Sequence, residues 1–251
     1  MLKPLPNRIV VKIGSSSLVD MPNSTLITQR FFDVATDIAW LRKHRNLEII
    51  LMSSGALAWG RVGLANQGID PTDITPQIAG AIGQIGIAAA WATAFEKAGL
   101  LVGQYLLDAG AGKSALVTSN IDIMLRKGIV PYINENIPIM DNYNNDGLSA
   151  EIAQALGCKT LILLSDIDGV YTGNPTTNSD AKFIPTITNI DDAIQRFGGG
   201  ATSTVGTGGM LTKLLAAKEM KTIGVETIIA SGITPHPLRA VYNEGMGTRI
   251  N

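Results

Sequence analysis

The chain has 251 residues, 45% of them hydrophobic and 16% charged, with a formal net charge of −1 and a pI near 6.1. That balance describes a globular chain with a large core and excludes an extended, disordered one. It also gives no electrostatic reason to expect nucleic acid or an anionic membrane as a partner.

Arg8-Ile-Val-Val-Lys-Ile13 is a β-branched run that reads as a buried parallel strand opening into the small-residue turn Gly14–Ser17. Lys12 interrupts it. A lysine there must either snorkel to solvent or face something anionic, because an unpaired charge is costly to bury. Apolar positions from Thr28 to Arg45 predict an amphipathic helix, and Glu48–Met52 a second strand ending in Ser53-Ser-Gly-Ala56. A long helix is expected over Gln77–Ala98. Its stretch Ile78–Phe95 is the most lipid-like of the chain, but it is rich in glycine and alanine and carries Gln84 and Thr93. It reads as a buried or interface helix rather than a membrane span.

A strand at Leu100–Leu107, a helix at Ser114–Lys127 and a strand at Val130–Ile133 follow. Next come Asn134-Glu-Asn136, the polar loop Met140–Asp146 and a helix over Gly147–Leu156. Thr160–Leu164 is a fifth strand, ending in Ser165-Asp-Ile-Asp-Gly169. After the turn-rich loop Asn174–Lys182 come a short helix near Ile190–Phe197 and the glycine-rich stretch Gly206-Thr-Gly-Gly-Met-Leu-Thr-Lys213. A helix follows that stretch, and Glu226–Ala230 is the last clear strand. Strands alternating with helices predict an α/β chain whose mostly parallel sheet carries helices on both faces. This is a three-layer α/β/α sandwich, read as one domain over residues 1–251.

In such sheets ligands bind beyond the C-terminal strand ends. That edge gathers Gly14–Ser17, Ser53–Gly55, Asn134–Asn136, Ser165–Asp166 and the glycine-rich run. A glycine-rich turn entering a helix can offer several backbone N–H groups to an anion, although the same composition also suits a plain linker. Lys12 and Lys213 supply two positive charges, and Asp146 at a helix start could hold them. Positioning and charge neutralisation are what phosphoryl transfer asks of a protein.

Other chemistries fail. Ala109-Gly-Ala-Gly-Lys-Ser114 has Leu107 where a P-loop needs its first glycine, and reads as a loop with a helix cap at Ser114. His44 and His236 have no partners at metal-binding spacing and read as solvated, so no metal-ligand set is predicted. Ser54 lacks the nucleophile elbow. The lone Cys158 cannot close an internal disulfide and reads as a buried, inert thiol. Met1-Leu-Lys-Pro runs straight into a strand-like segment, so no leader is read and a cytoplasmic protein is expected.

Several motifs occur in order along the chain: Val10-Val-Lys-Ile-Gly-Ser15, Ser53-Ser-Gly-Ala56, Ala81-Ile-Gly-Gln84, Ile133-Asn-Glu-Asn136, Asn145-Asp146 with Leu148-Ser-Ala150, Leu164-Ser-Asp-Ile-Asp-Gly169 and Gly206-Thr-Gly-Gly-Met210 with Thr212-Lys213. Together they resemble the amino-acid kinase family, and within it the branch that phosphorylates the side-chain carboxylate of glutamate. The resemblance implies the amino-acid kinase fold, with ATP and Mg2+ required. It implies that Lys12 and Lys213 flank the transferring phosphoryl group and that Asp146 organises them. Ser54, Gly55, Asn134 and Asn145 would contact the amino acid. Gly14, Ser15, Ser165, Asp166, Thr207, Gly208, Gly209, Met210, Leu211 and Thr212 would hold ATP. The product would be an acyl phosphate passed to glutamate-5-semialdehyde dehydrogenase, and a homo-oligomer is implied.

The accessory C-terminal domain of PUA type that many bacterial members carry finds no counterpart, so the catalytic domain alone is expected. Where the family's Asn-Glu-Asn motif continues with a substrate-binding aspartate, this chain has Ile137. Its loop 137–144 is also shorter than usual, Gly147 replaces a customary polar residue, and Leu211 replaces a smaller one. Asp141 is the candidate to stand in for the missing aspartate. Alternatives to glutamate phosphorylation are a related kinase of another small acid and a silent amino-acid-binding regulator. Retention of Lys12, Asp146 and Lys213 speaks against the latter.

Overall fold

The computed structural model describes residues 7–175, 177–198 and 209–251. In chain order its main elements are β1 (Arg8–Ile13), β2 (Val19–Asp20), β3 (Thr25–Leu26), α1 (Thr28–Arg45), β4 (Glu48–Ser53), α2 (Ala56–Asn66), α3 (Pro76–Lys97), β5 (Val102–Leu107), α4 (Ala115–Arg126) and β6 (Val130–Glu135). They continue with α5 (Asn145–Ala155), β7 (Thr160–Ser165), β8 (Val170–Tyr171), β9 (Phe183–Ile184), β10 (Thr186–Ile187), α6 (Ile190–Gly198), α7 (Met210–Thr222), β11 (Glu226–Ser231) and β12 (Thr248–Ile250).

Eight strands form one sheet in the order β10-β12-β11-β7-β1-β4-β6-β5, while β2–β3 and β8–β9 are separate hairpins. The run from β11 to β5 is parallel throughout. β12 is antiparallel to β11 and pairs in parallel with β10. Because β1 lies between β4 and β7, the chain winds outward from it in both directions. That makes the C-terminal end of β1 a topological switch point, where such sheets open a crevice.

Strand periodicity sorts the core into two layers. Ile9, Val11 and Ile13 of β1 pack with Ile49 and Leu51 of β4 against α1, α2 and α3. Val10, Ile50 and Met52 face the other way, against α4, α5, α6 and α7. The first layer centres on Trp91 of α3, whose ring lies 4.7 Å from that of Phe31 and whose Nε1 donates to Ser53 Oγ at 3.0 Å. Burying an aromatic side chain of this kind contributes roughly 1.5–3 kcal/mol. Although α3 is long and apolar enough to cross a membrane, its Ile87, Trp91 and Phe95 are buried in the core.

Helix ends follow their capping residues. Thr75 caps α3 with Pro76 in its first turn, Ser114 caps α4 as expected, and Asn46 ends α1 in the left-handed region.

Several differences from the sequence reading have physical causes. α2 was not expected. Gly60 and Gly63 weaken its helical signal, but Gly60 lets it lie directly on α3: a Cβ there would sit 1.7 Å from the Ala79 carbonyl oxygen. α5 begins two residues before Gly147, because the Asn144 side chain caps it by accepting the Gly147 N–H at 3.1 Å. β10 and β12 are too short to announce themselves by pattern. His236 is not simply solvated: its Nδ1 lies 3.0 Å from Asp37 Oδ1. The buried Asp37 also accepts the Leu238 and Arg239 N–H groups, tying the C-terminal segment to α1.

Candidate active site

Lys12 occupies an even position of β1, so its side chain faces the layer that holds α5 and α7. There Asp146, in the first turn of α5, receives it: Lys12 Nζ lies 2.7 Å from Asp146 Oδ1. Lys213 Nζ, from the first turn of α7, lies 3.3 Å from Oδ2. Thr212 Oγ1 donates to the same Oδ2 at 2.7 Å. All three charged residues are buried. Burial alone would raise the Asp146 carboxyl, but the Lys12 and Lys213 ammoniums outweigh it and hold it at about 2. Burial pulls Lys213 below the ordinary lysine value, with Asp146 acting in the opposite direction. Two ammoniums thus meet one carboxylate, and the Asp166 charge acts on Lys213 as well.

Lys12, Asp146 and Lys213 line a cavity of about 540 Å³ at the C-terminal edge of the sheet, within the usual range for small-molecule sites. Of the residues expected to hold ATP, Gly14, Ser15, Ser165, Asp166, Gly209 and Met210 line it. Gly209 is the residue before α7, and no described residue would obstruct a side chain there. With Gly209 and Met210 in the lining, the positively polarised N-terminus of α7 meets the cavity. Leu211 and Thr212 do not line the cavity; Thr212 instead braces Asp146. Thr207 and Gly208 lie outside the described residues.

Of the residues expected to meet the acceptor, Ser54, Gly55 and Asn145 line the cavity. Gly55 starts α2 at φ +109°, and a Cβ there would press on Ile87 Cδ1 at 3.2 Å, so only glycine suits this turn. Asn145 Nδ2 donates to Ser54 Oγ at 3.2 Å and to Asn134 Oδ1 at 3.1 Å. Asn134 is fully buried behind the wall and donates to Gln84 Oε1 at 2.7 Å. Asp141 is not brought into the site; it is exposed and absent from the lining.

The shortened loop is held by packing instead. Ile137 is buried against Gly80 of α3, where a Cβ would lie 2.5 Å from Ile137 Cγ2, and Gln77 Nε2 donates to the Met140 carbonyl at 2.9 Å. Gly147 also has a reason, since a Cβ there would sit 2.8 Å from the capping Asn144 amide.

The structure adds Glu135, Arg61, Tyr143 and Asn144 to the lining. Glu135 was visible in Asn134-Glu-Asn136 at the ligand edge but was given no role of its own; it is the last residue of β6. It is buried, accepts the Asn144 N–H through Oε1, and burial pushes its carboxyl up to about 7. Arg61 lies on α2, the helix the sequence pattern conceals. Among the described residues no three His, Cys, Asp or Glu side chains converge as a metal cage, and neither histidine lines the cavity.

Known proteins resemble this chain in sequence and in fold. The chain is 38% identical over 251 residues to the glutamate 5-kinase of Gluconobacter oxydans (strain 621H), covering 96% of this chain and 66% of that protein. It is 39% identical over 254 residues to the glutamate 5-kinase of Agrobacterium fabrum, covering 96% and 64%. The chain thus spans about two thirds of the length of these curated relatives. In fold it resembles the UMP kinase of Ureaplasma parvum, with a TM-score of 0.70 at 18% identity over 98% of this chain and 99% of that one. It also resembles the isopentenyl phosphate kinase of T. acidophilum, with a TM-score of 0.67 at 17% identity over 97% and 100%. The model of the amino acid kinase family matches residues 7–231, a span that takes in Lys12, Asp146 and Lys213 together with the sheet that positions them, and the chain belongs to that family.

Proposed function

We propose that this protein transfers the γ-phosphoryl group of ATP to the side-chain carboxylate of L-glutamate, giving L-glutamyl 5-phosphate and ADP, the first step of proline biosynthesis. The observation that carries this reading is the buried Lys12–Asp146–Lys213 cluster, which places two ammoniums on the wall of the cavity. The names of the relatives support glutamate as the acceptor.

A carboxylate oxygen attacks the γ-phosphorus in line, and the bond to the ADP oxygen breaks. The acceptor is already ionised at neutral pH, so no proton has to be removed and no general base is needed. Lys12 and Lys213 neutralise charge on the phosphoryl oxygens as it spreads in the transition state. Asp146 keeps both ammoniums in register. The N–H groups at the α7 N-terminus and the turn after β1 cradle the phosphates, and Ser165 and Asp166 flank the nucleotide. Ser54, Gly55 and Asn145 orient the acid, with Asn134 fixing Asn145.

Magnesium would arrive on the triphosphate, the usual way this ion enters a kinase site. It adds charge neutralisation to that supplied by the lysines. The acyl phosphate is labile, which suits direct uptake by glutamate-5-semialdehyde dehydrogenase in the cytoplasm.

The test is a coupled assay for ADP formation with a panel of acids, including L-glutamate, L-aspartate, N-acetyl-L-glutamate and glutarate, with hydroxylamine trapping of the acyl phosphate. ADP and hydroxamate appearing in equal amounts, fastest with L-glutamate, is the expected result. A best substrate other than L-glutamate, or no ADP with any acid, would reject the assignment.

A further inference from the structure

Resting on the glutamate reading above, we propose that Glu135 is the residue that recognises the acceptor's ammonium group and sets the preference for an amino acid over a plain dicarboxylate. An acceptor with an ammonium needs a negative partner in the cavity, because a buried cation without one is strongly disfavoured. Position 137 cannot supply it: Ile137 is apolar and occupies the Gly80 notch of α3. Nor can Asp141, which lies exposed outside the cavity.

Three carboxylates line the cavity: Glu135, Asp146 and Asp166. Asp146 is already committed to two ammoniums, Lys12 and Lys213, and accepts from Thr212. Asp166 follows β7 and accepts from Ser165 Oγ at 3.0 Å, on the side expected for the nucleotide. Glu135 ends β6 beside Asn134, the residue that anchors Asn145. Its Oε1 accepts the Asn144 N–H, and no described residue donates to Oε2.

Glu135 is 3% exposed and makes no ion pair among the described residues. It is a buried carboxylate facing a cavity without a counter-ion. Lys12 from β1 and Asp146 from α5 are the charged groups that act on it, with opposite signs. Burial dominates and pushes its carboxyl up to about 7, and an incoming ammonium would favour the ionised form. Arg61 lines the same cavity with no ion pair among the described residues, leaving a cation for the acceptor's other carboxylate.

The test compares L-glutamate with glutarate, the same diacid without the ammonium, in the wild type and in Glu135→Gln. Glutamine keeps an oxygen for the Asn144 N–H and removes the charge. The expected result is a glutamate KM raised by about tenfold to a hundredfold, the range of one charge-assisted hydrogen bond. The KM for ATP should stay unchanged, and the preference for glutamate over glutarate should collapse. In the wild type the glutamate KM should rise as pH falls through about 7, and in the variant that dependence should vanish. Glu135→Asp, which keeps the charge, should retain a measurable preference.

A separate check is thermal melting without substrate. Glu135→Gln should melt at or above the wild type at pH above about 7, where the unpaired carboxylate is ionised at a cost. A variant that keeps the wild-type preference, or loses kcat equally with both acids, overturns the assignment. A wild type that phosphorylates glutarate but not glutamate rejects the glutamate reading and this role with it.

Discussion

Lys213 is the residue whose position says most about the chemistry. It sits one turn into α7 with its ammonium 3.3 Å from Asp146, so its charge is available where charge develops during transfer. Lys213→Ala should therefore lower kcat by about 100-fold or more, the usual effect of losing a transition-state donor. The glutamate KM should move little. Steady-state kinetics decide this, and a near-normal kcat with a raised KM would remove Lys213 from the transfer step. Asp146 gives a second prediction, from pH. Its carboxyl is held at about 2 against an ordinary value of 3.8, so the folded state favours the ionised form. Its stabilising contribution is present above about pH 4 and is lost as pH falls toward 2. Asp146→Asn should be less stable than the wild type at neutral pH, and the difference should shrink in acid; urea titrations at several pH values measure it. In the sequence Lys12 stood out as a charge breaking an apolar run and Lys213 as a charge set beside glycines, although a snorkelling lysine and a plain linker suited the same residues; the structure brings both to Asp146. Asp141 was misplaced because a sequence shows that a loop holds a carboxylate but not which way the loop folds. That direction is fixed by Ile137 meeting the gap at Gly80, a contact between residues far apart in the chain.

At the scale of elements the same contrast holds. β1, β4 and β7 announce themselves as β-branched or leucine-rich runs with small residues at their ends, and α1 was readable to its bounds from apolar spacing. α2 was not, because its glycines lower helix propensity and its function is to pack closely. Gly83 of α3 would place a Cβ 1.8 Å from the Ala56 carbonyl oxygen and 2.4 Å from the Gly60 nitrogen. No rotamer can relieve a clash with backbone. Gly83→Ala should therefore force the two helices apart and cost about 2–4 kcal/mol, toward the upper range for single substitutions. It should also disturb Gly55 and Arg61, which α2 and its entry turn carry to the cavity. Gly63→Ala is the control: its Cβ meets only Ile82 Cγ2 at 3.7 Å, so the change should be neutral or stabilising by up to about 1 kcal/mol through helix propensity. Denaturant melts of the pair test the claim that the glycines are there for contact rather than flexibility. The late strands escaped notice for a different reason. β10 and β12 are two and three residues long, and only the pairing of β12 with β11 and of β10 with β12 turns them into sheet.

For the whole molecule, the uneven distribution of apolar surface is the informative property. Exposed isoleucines at 78, 82 and 85 recur at helical spacing along α3, the last of them 76% exposed. Beside α3, β5 forms one edge of the sheet, and Leu101, just before it, is 72% exposed. Val102-Gly-Gln-Tyr-Leu-Leu107 carries no charged residue, whereas exposed edges are commonly protected by lysine, proline or a bulge. An uncharged strand edge next to an apolar helix stripe is an uncommon surface for a free monomer. A second copy of the same chain suits it: around a two-fold axis an edge strand can pair with itself, and an apolar stripe is complementary to its own image without needing opposite charges. The expected state in solution is therefore a homo-oligomer built across this edge. Light scattering after size exclusion should give a mass of at least two chains. Ile85→Glu, which places a charge in the middle of the stripe, should shift it to that of one chain while leaving the fold intact by circular dichroism. Because Ile85 lies away from Lys12, Asp146 and Lys213, any loss of activity in that variant would report on what assembly contributes. A wild type that runs as a single chain, or an Ile85→Glu protein of unchanged mass, would show that the apolar edge does not hold copies together.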